Sequence, residues 1–157
     1  MQRTILVAAA FALATVLPAA AVRAAGDDSP APAYASADPD VEAGKAALRV
    51  KNWQSAVAAF DKVAAKDPRN ADAQNFLGFA HRKAGSLDLA FKHYNEALRL
   101  DPRHRGAHEY IGEAYLMRGN LAKAKEHLTQ LDRLCFFGCE EFDDLKRAIA
   151  EHERKKK

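Results

Sequence analysis

Small residues recur along this chain at a fixed spacing of 34 residues. They form two columns, which are Gly44, Gly78 and Gly112 in the first and Ala56, Ala90 and Ala124 in the second. Pro68 and Pro102 are separated by the same interval. Several columns that share one period indicate repeated structural units, each stacked on its neighbour, rather than one irregular domain. The sequence therefore predicts three units, over about residues 37–70, 71–104 and 105–138.

Each unit has the pattern of two helices joined by a short turn. In the second unit, apolar residues recur at helical spacing over residues 72–84 and again over residues 87–100. Gly85 lies between the two runs, where glycine ends one helix, and the following serine can cap the next. The same turn position holds Lys51 in the first unit and Gly119 in the third. The sequence thus predicts three helix-turn-helix pairs.

The second unit resembles a tetratricopeptide repeat. The resemblance rests on Leu77, Gly78, Ala90, Tyr94, Ala97 and Pro102. It covers about residues 37–135 and implies an all-α fold, in which three repeats form a short right-handed solenoid. A glycine inside a helix costs about 1 kcal/mol relative to alanine, so its recurrence needs a reason. We expect the two helices of a unit to cross closely there, with no side chain between their backbones.

One more helix is predicted after the third unit, over residues 140–154. Its apolar stripe consists of Phe142, Leu145, Ala148 and Ile149. Acidic residues crowd its first turn and basic residues its last turn, which suits the helix dipole. A repeat array needs such a helix to cover its last apolar face. We therefore expect a C-terminal capping helix, followed by a basic tail over residues 155–157.

The first 24 residues have the pattern of a secretory signal peptide. A short basic start precedes an uncharged run from Thr4 to Val22, and small residues follow near the expected cleavage site. An uncleaved membrane anchor is the alternative, which Pro18 and the high alanine content disfavour. Residues 25–36 are small, polar and proline-bearing, so we expect a disordered leader there. We expect an exported bacterial protein, located in the periplasm or secreted.

The charge balance gives no reason to expect a nucleic-acid partner. The chain carries 24 basic and 21 acidic residues, for a formal net charge of +3. Removing residues 1–24 deletes Arg3 and Arg23, which leaves 22 − 21 = +1. A protein that binds nucleic acid usually has a larger basic excess. Contact with a membrane is expected only through an uncleaved signal peptide.

Cys135 and Cys139 are the two cysteines of the chain and lie four residues apart. In an exported protein this favours a disulfide that joins the third repeat to the capping helix. The closed loop is short, so the bond should add only about 2 kcal/mol of stability. The spacing is not that of a Cys-x-x-Cys redox motif. A metal site that adds His127 or His152 lacks the usual ligand spacing, and we predict no metal and no cofactor.

No constellation of catalytic residues is evident, and we predict that the protein is not an enzyme. The six histidines do not combine with a serine or cysteine in a hydrolase pattern, and no glycine-rich phosphate loop is present. His104 and His108 are spaced for chelation on one helix face, but His108 and His81 fall on packing columns. The alternative function is an envelope protein with redox or metal chemistry at Cys135 and Cys139.

The resemblance implies a binding groove on the first helices of the units, which line the concave face in this family. We expect a peptide or helix of a cell-envelope protein to bind there, so that the chain acts as a scaffold. The predicted groove residues are Lys45, Arg49, Asn75, Phe76, Phe79, Arg82, Lys83, Glu109, Tyr110, Glu113, Leu116 and Met117.

We also expect that groove to be divided by charge along the array. Its cations lie in units one and two and its carboxylates lie in unit three. The family includes a class that clamps a peptide carboxylate with a fixed basic set. This chain has Lys45 at one of the expected columns but Phe76 and Tyr110 at others, so that specificity is not transferred.

Overall fold

The computed structural model describes residues 38–155, which form seven α-helices and no strand. The helices are α1 (Pro39–Arg49), α2 (Trp53–Lys66), α3 (Ala71–Lys83), α4 (Leu87–Leu100), α5 (Arg105–Met117), α6 (Leu121–Leu134) and α7 (Glu140–Lys155). None of these helices combines the length and the apolar character that crossing a bilayer requires. The predicted signal peptide, the predicted leader and residues 156 and 157 lie outside the described residues.

Polar side chains define where most of the helices begin. Asp38, Asn52, Asn70 and Asn120 each accept a hydrogen bond from a backbone N–H in the first turn of the helix that follows. His104 does the same for α5 through Nδ1, which accepts from the N–H of Ala107 at 3.1 Å. Ser86, which the sequence marks as the cap of α4, makes no such bond. The other caps satisfy backbone donors that helix starts leave unpaired.

The turns inside the repeats need a backbone conformation that favours glycine. Gly85 and Gly119 have φ angles of 86° and 78°. Lys51 occupies the equivalent turn between α1 and α2 with φ of 58°, the only non-glycine residue of the described part with positive φ. A side chain in the left-handed region is unfavourable by roughly 1–2 kcal/mol. The first turn is therefore strained relative to the other two.

The helices pack as three antiparallel-type pairs with one helix added. Helices α1 and α2, α3 and α4, and α5 and α6 contact each other within pairs, and α7 packs against both α5 and α6. Along the array, α3 also contacts α5, so that α3, α5 and α7 lie side by side. Leu145 and Ile149 of α7 are buried against α5 and α6. The predicted all-α repeat fold is confirmed.

The glycine column is explained by side chains of the partner helix rather than by bare backbones. A Cβ atom added to Gly44 would lie 2.6 Å from Cζ of Phe60, and one added to Gly78 would lie 2.5 Å from Cδ1 of Tyr94. At Gly112 the obstacle is Leu145 of α7, whose Cδ2 would be 2.6 Å away. The expectation of a crossing without intervening side chains is therefore wrong. Each glycine leaves room for one large apolar side chain.

Candidate functional site

The predicted groove residues lie on α1, α3 and α5, and we call the surface that these helices share the first-helix face. The exposed members are Arg49, Lys83 and Met117. The half-buried members are Lys45, Phe76, Phe79, Tyr110 and Glu113. The buried members are Asn75, Arg82, Glu109 and Leu116. The structure thus places the predicted residues on common helices but exposes only some of them.

Leu116 belongs to the core and does not contribute an accessible apolar contact. Its side chain is 8% exposed and packs in a cluster with Ala124, Leu131, Leu145 and Ile149. The sequence placed it on the groove because it falls on the same face as Glu113. The capping helix covers that position, which corrects the expectation for Leu116. Met117, its neighbour, is exposed and stays available.

Arg82 is a structural link between repeats. It is 5% exposed, and its Nη1 lies 2.5 Å from Oε2 of Glu113. Its Nε donates to the hydroxyl of Tyr94 at 3.2 Å. The guanidinium also lies 5.4 Å from the ring centroid of Phe79 and 5.5 Å from that of Tyr110. Arg82 and Glu113 neutralise each other across the array, which reduces the expected difference in charge between units two and three.

Aromatic rings form a row that runs from the first residue of α2 onto the first-helix face. The ring centroid of Phe79 lies 6.4 Å from that of Trp53 and 5.0 Å from that of Tyr110. Lys83, which is exposed, holds its Nζ 5.3 Å from the Phe79 centroid. Phe76 instead stacks on Phe60 with centroids 4.7 Å apart. Phe79 is therefore a half-buried aromatic side chain with a cation beside it, and aromatic residues are enriched at protein interfaces.

A cavity of about 320 Å³ lies between α3, α5 and α7, near the N-terminal ends of α5 and α7. Its lining consists of Asn75, Phe76, His104, Gly106, Glu109, Tyr110, Glu140, Glu141 and Asp144. We call it the acidic cavity, because its lining has four carboxylates and neither lysine nor arginine. Burial, together with the nearby Glu113, Asp144 and Glu141, raises the pKa of Glu109 to about 8, while Arg82 opposes this.

A second cavity, of about 540 Å³, lies at the other end of the same three helices. It is lined by Arg82, Lys83, Glu113, Leu116, Met117, Ala148, Glu151, His152 and Lys155. Its lining includes three basic side chains, whereas the acidic cavity has none. The polarity of this surface therefore runs along the helix axes, from an acidic end to a mixed end. The sequence predicted instead that it runs from repeat to repeat.

Comparison with known protein families decides what kind of repeat this is. Two sequence models described as tetratricopeptide repeat match the chain, one over residues 41–104 and the other over residues 81–134. This chain belongs to the tetratricopeptide repeat family. No curated protein sequence is similar enough to this chain to be counted as a relative.

Solved tetratricopeptide repeat structures share the fold at low sequence identity. The Sgt2 tetratricopeptide domain from Aspergillus fumigatus is 22% identical, covering 75% of this chain and 77% of its own, with a TM-score of 0.68. The TPR2B domain in the pHsp70 complex of yeast Sti1 is 20% identical. The match covers 74% of this chain and 94% of that domain, with a TM-score of 0.67. The Yersinia enterocolitica type III secretion translocator chaperone SycD is 18% identical, covering 74% and 83%, with 0.66. These likenesses support the fold.

Two histidines of this tetratricopeptide repeat domain form a partly buried pair that the sequence did not indicate. Nδ1 of His108 lies 2.9 Å from Nδ1 of His127, and Nε2 of His108 lies 3.1 Å from the carbonyl oxygen of Pro102. A carbonyl only accepts, so Nε2 of His108 donates and its Nδ1 accepts from Nδ1–H of His127. Burial, with His108 nearby, lowers the pKa of His127 to about 4. The pair joins α5 to α6 and has a structural role.

The loop between α6 and α7 contains both cysteines and two exposed aromatic rings. The Sγ atoms of Cys135 and Cys139 are within bonding distance and the Cα atoms lie 5.6 Å apart, so the geometry permits the predicted disulfide. Phe136 and Phe137, between them, are 88% and 96% exposed. Within the described residues, the one group of three potential metal ligands that converges is Cys135, Cys139 and Glu141. The sequence pattern did not distinguish these phenylalanines from core residues.

Proposed function

We propose that this protein is a non-catalytic scaffold of the bacterial cell envelope, which binds a peptide or helix of a partner protein on its first-helix face. Tetratricopeptide repeat domains typically mediate protein–protein interaction. The observation that carries the proposal here is the aromatic row on that face. Phe79 is half-buried, lies between Trp53 and Tyr110, and has the Lys83 ammonium beside its ring. Aromatic anchors with a polar rim supply most of the affinity at protein interfaces.

The histidine contacts also favour a binding role over catalysis. His108 and His127 hydrogen-bond to each other, and His104 caps a helix and contacts Asp72 at 3.0 Å. His81 and His93 stack with centroids 5.3 Å apart. These rings therefore serve packing, where a general base would need to face a nucleophile or a substrate. The family is generally an interaction module, which agrees with a non-catalytic protein.

The experiment that tests the binding face compares two apolar side chains on different helices. Phe79→Ala removes the centre of the aromatic row, whereas Leu89→Ala removes an exposed apolar side chain from α4. We expect the protein captured by the wild type from envelope extracts to dissociate faster from Phe79→Ala, at a cost of roughly 1–3 kcal/mol. Binding to Leu89→Ala should be unchanged. Equal binding to both folded variants would contradict a partner site on the first-helix face.

We further propose that the protein acts after export and that Cys135 and Cys139 form a disulfide there. The export pattern of the first 24 residues and the 5.6 Å distance between the two Cα atoms support this. Expression in a bacterial host followed by N-terminal sequencing of the periplasmic fraction tests cleavage. Thiol labelling of that fraction before and after reduction tests oxidation. Labelling only after reduction supports the disulfide.

The redox- or metal-linked alternative remains a second candidate because of Glu141. Its carboxylate lies with both sulfur atoms inside a group whose ligand atoms are within 4.8 Å of one another. If the cysteines were reduced, two thiolates and one carboxylate could bind a divalent metal such as zinc. Elemental analysis of the exported protein separates the candidates. Stoichiometric zinc or copper with labelled thiols supports the alternative, and metal-free protein without free thiols supports the scaffold.

A further inference from the structure

The acidic cavity holds one buried acceptor atom that lacks a hydrogen-bond partner, beside a mostly buried carboxyl group. Asn75 is 4% exposed, and its Oδ1 accepts no hydrogen bond. Glu109 is 8% exposed, and its carboxylate accepts no hydrogen bond from any described residue. Both residues line the same cavity. Buried polar groups are normally hydrogen-bonded, so the unpaired Oδ1 of Asn75 beside the carboxyl group of Glu109 indicates a missing donor.

The walls and the mouth of this cavity suit an elongated cation. Phe76 and Tyr110 contribute aromatic rings to its wall, and Glu140, Glu141 and Asp144 contribute carboxylates from the first turns of α7. Two of these carboxylates already have basic neighbours, since Arg105 lies 3.6 Å from Glu141 and Arg147 contacts Asp144. Glu140 has no such ion pair among the described residues, whereas Glu109, which also has none, is mostly protonated at pH 7 until a cation binds, because its pKa is about 8. The cavity therefore keeps a negative excess beside aromatic surface.

The arrangement does not suit a bare metal ion. A metal needs at least three ligand atoms that converge on one point. In the described part of the chain, the only converging group of three lies at Cys135, Cys139 and Glu141, and the other carboxylates of the acidic cavity are not in it. Spread carboxylates along an aromatic wall instead match a long side chain with several N–H donors at its end.

We propose that the acidic cavity binds a lysine or arginine side chain of the partner segment. The alkyl part of that side chain lies along Phe76 and Tyr110, and its charged end donates to Glu109 and to Oδ1 of Asn75. The carboxylates at the mouth attract the cation and hold the segment in one direction. This inference rests on the proposed function, since it names the chemistry of a partner bound to the first-helix face.

The direct test uses capped pentapeptides that differ in one charge. We would titrate the purified protein at pH 7 with acetyl-Ala-Ala-Lys-Ala-Ala-amide, with the arginine analogue, and with a norleucine analogue that has the same length and no charge. Two-dimensional NMR should show saturable shifts at the amides of Gly106, Glu109 and Tyr110 for the two cationic peptides. The norleucine peptide should bind about tenfold more weakly or not at all. Equal binding of all three, or no shift at these amides, overturns the proposal.

Matched variants assign the effect to the cavity. Glu109→Gln combined with Glu140→Gln removes two carboxylates and keeps the side-chain volumes, and it should weaken the lysine pentapeptide about tenfold or more. Asp132→Asn removes one exposed carboxylate from α6 as a control, and should have no effect. Unchanged binding to the folded double variant overturns the proposal. An equal loss in Asp132→Asn would show charge screening rather than a site, and overturns it as well.

Proton release provides a readout that a purely structural carboxylate would not give. Glu109 faces Glu113 on its own helix, Arg82 on α3, and Glu141 and Asp144 on α7. A bound cation stabilises the ionised form of Glu109, so binding at pH 7 should release a fraction of a proton. Calorimetry in two buffers with different ionisation enthalpies measures this fraction. Release should be absent in Glu109→Gln, and equal release in that variant contradicts the assignment to Glu109.

The two levels of the proposal can fail separately. If the captured partner is lost on Phe79→Ala but not on Glu109→Gln with Glu140→Gln, and the pentapeptides do not bind, the cation site is wrong and the binding face stands. If the pentapeptides bind as expected while the partner binds Phe79→Ala as it binds the wild type, the cation site is supported and the proposed binding face is wrong.

Discussion

The glycine in the middle of each first helix is defined by the side chain that it faces. An added Cβ at Gly78 would lie 2.5 Å from the ring of Tyr94, which is fully buried. Glycine to alanine in a helix normally stabilises by about 1 kcal/mol, but overpacking costs about 1–3 kcal/mol. We therefore predict that Gly78→Ala lowers the free energy of unfolding by about 1 kcal/mol or more. Urea denaturation measures it.

Whether Gly78→Ala lowers or raises the stability tests this explanation of the glycine. Ala46→Gly, at an exposed position of α1, measures helix propensity in the same protein and should also destabilise, by about 1 kcal/mol. If Gly78→Ala stabilised the protein, the ring of Tyr94 would not limit this position.

Lys51 has a left-handed backbone conformation that a lysine side chain disfavours. Its φ of 58° lies where Gly85 and Gly119 stand in the other repeats. Lys51→Gly removes the left-handed strain but gives the unfolded chain more freedom, so the net gain should be about 0.5–1 kcal/mol. Gly85→Ala is the opposite change with open space around the new Cβ, and should destabilise by about 1 kcal/mol. Thermal melts of both variants test this, and a loss of stability in Lys51→Gly would exclude strain there.

Glu109 should make the protein less stable as the pH rises. Its pKa is raised from 4.5 to about 8, chiefly by burial, so the folded state keeps the proton to a higher pH than the unfolded chain. The free energy of unfolding should therefore fall between about pH 4.5 and pH 8 because of this group. We predict that Glu109→Gln is more stable than the wild type at pH 9, by about 1–3 kcal/mol, and similar to it at pH 5. Chemical denaturation at the two pH values measures the difference, and an equal effect at both would contradict it.

Residue-level predictions from the sequence succeeded for spacing and failed for exposure. Helical periodicity placed Phe79, Lys83 and Tyr110 on one face, because that follows from 3.6 residues per turn. It could not show that Arg82 and Glu113 pair across repeats, since that distance depends on how α3 and α5 are spaced. Leu116 failed for the same reason, because the capping helix buries it. The acidic cavity combines residues of three helices and has no local pattern.

At the level of helices, the capping helix completes the packing of the third repeat. Leu145 of α7 is fully buried, and it fills the space that Gly112 leaves on α5. We predict that Leu145→Ala destabilises the protein by about 2–5 kcal/mol, because the cavity cannot collapse around a helical glycine. Lys146→Ala, at the next and exposed position, should change stability by less than about 0.5 kcal/mol. Similar melting of the two variants would mean that α7 does not cover the array.

Helix boundaries were predictable because the glycines that end helices and the asparagines that cap them recur with the repeat. Gly85 and Gly119 end first helices, and asparagine side chains cap α2, α3 and α6. The sequence offers one misleading signal at Ser86, which makes no capping bond. The exposure of Phe136 and Phe137 was not predictable, since an apolar pair beside a helix end usually packs. Both rings lie in the short loop between α6 and α7, outside either helix.

For the molecule as a whole, the positions of the charged residues are more informative about binding than the net charge. The described part has its acidic cavity at the N-terminal ends of α5 and α7, and the second cavity, of about 540 Å³, lies at their C-terminal ends. A partner segment that crosses both would meet carboxylates at one end and Lys83 and Lys155 at the other. Such a surface fixes direction, while the aromatic row supplies affinity.

Photo-crosslinking in the exporting cell tests most directly whether the first-helix face binds a partner. A photo-reactive amino acid would replace Lys83 or Met117, which are exposed on that face, or Lys92, which is exposed on α4. We expect one envelope protein to crosslink from the first two positions and not from the third. The crosslinked segment, identified by mass spectrometry, should carry a lysine or arginine. Crosslinks from Lys92 alone, or from a probe at Phe136 alone, would contradict binding on the first-helix face.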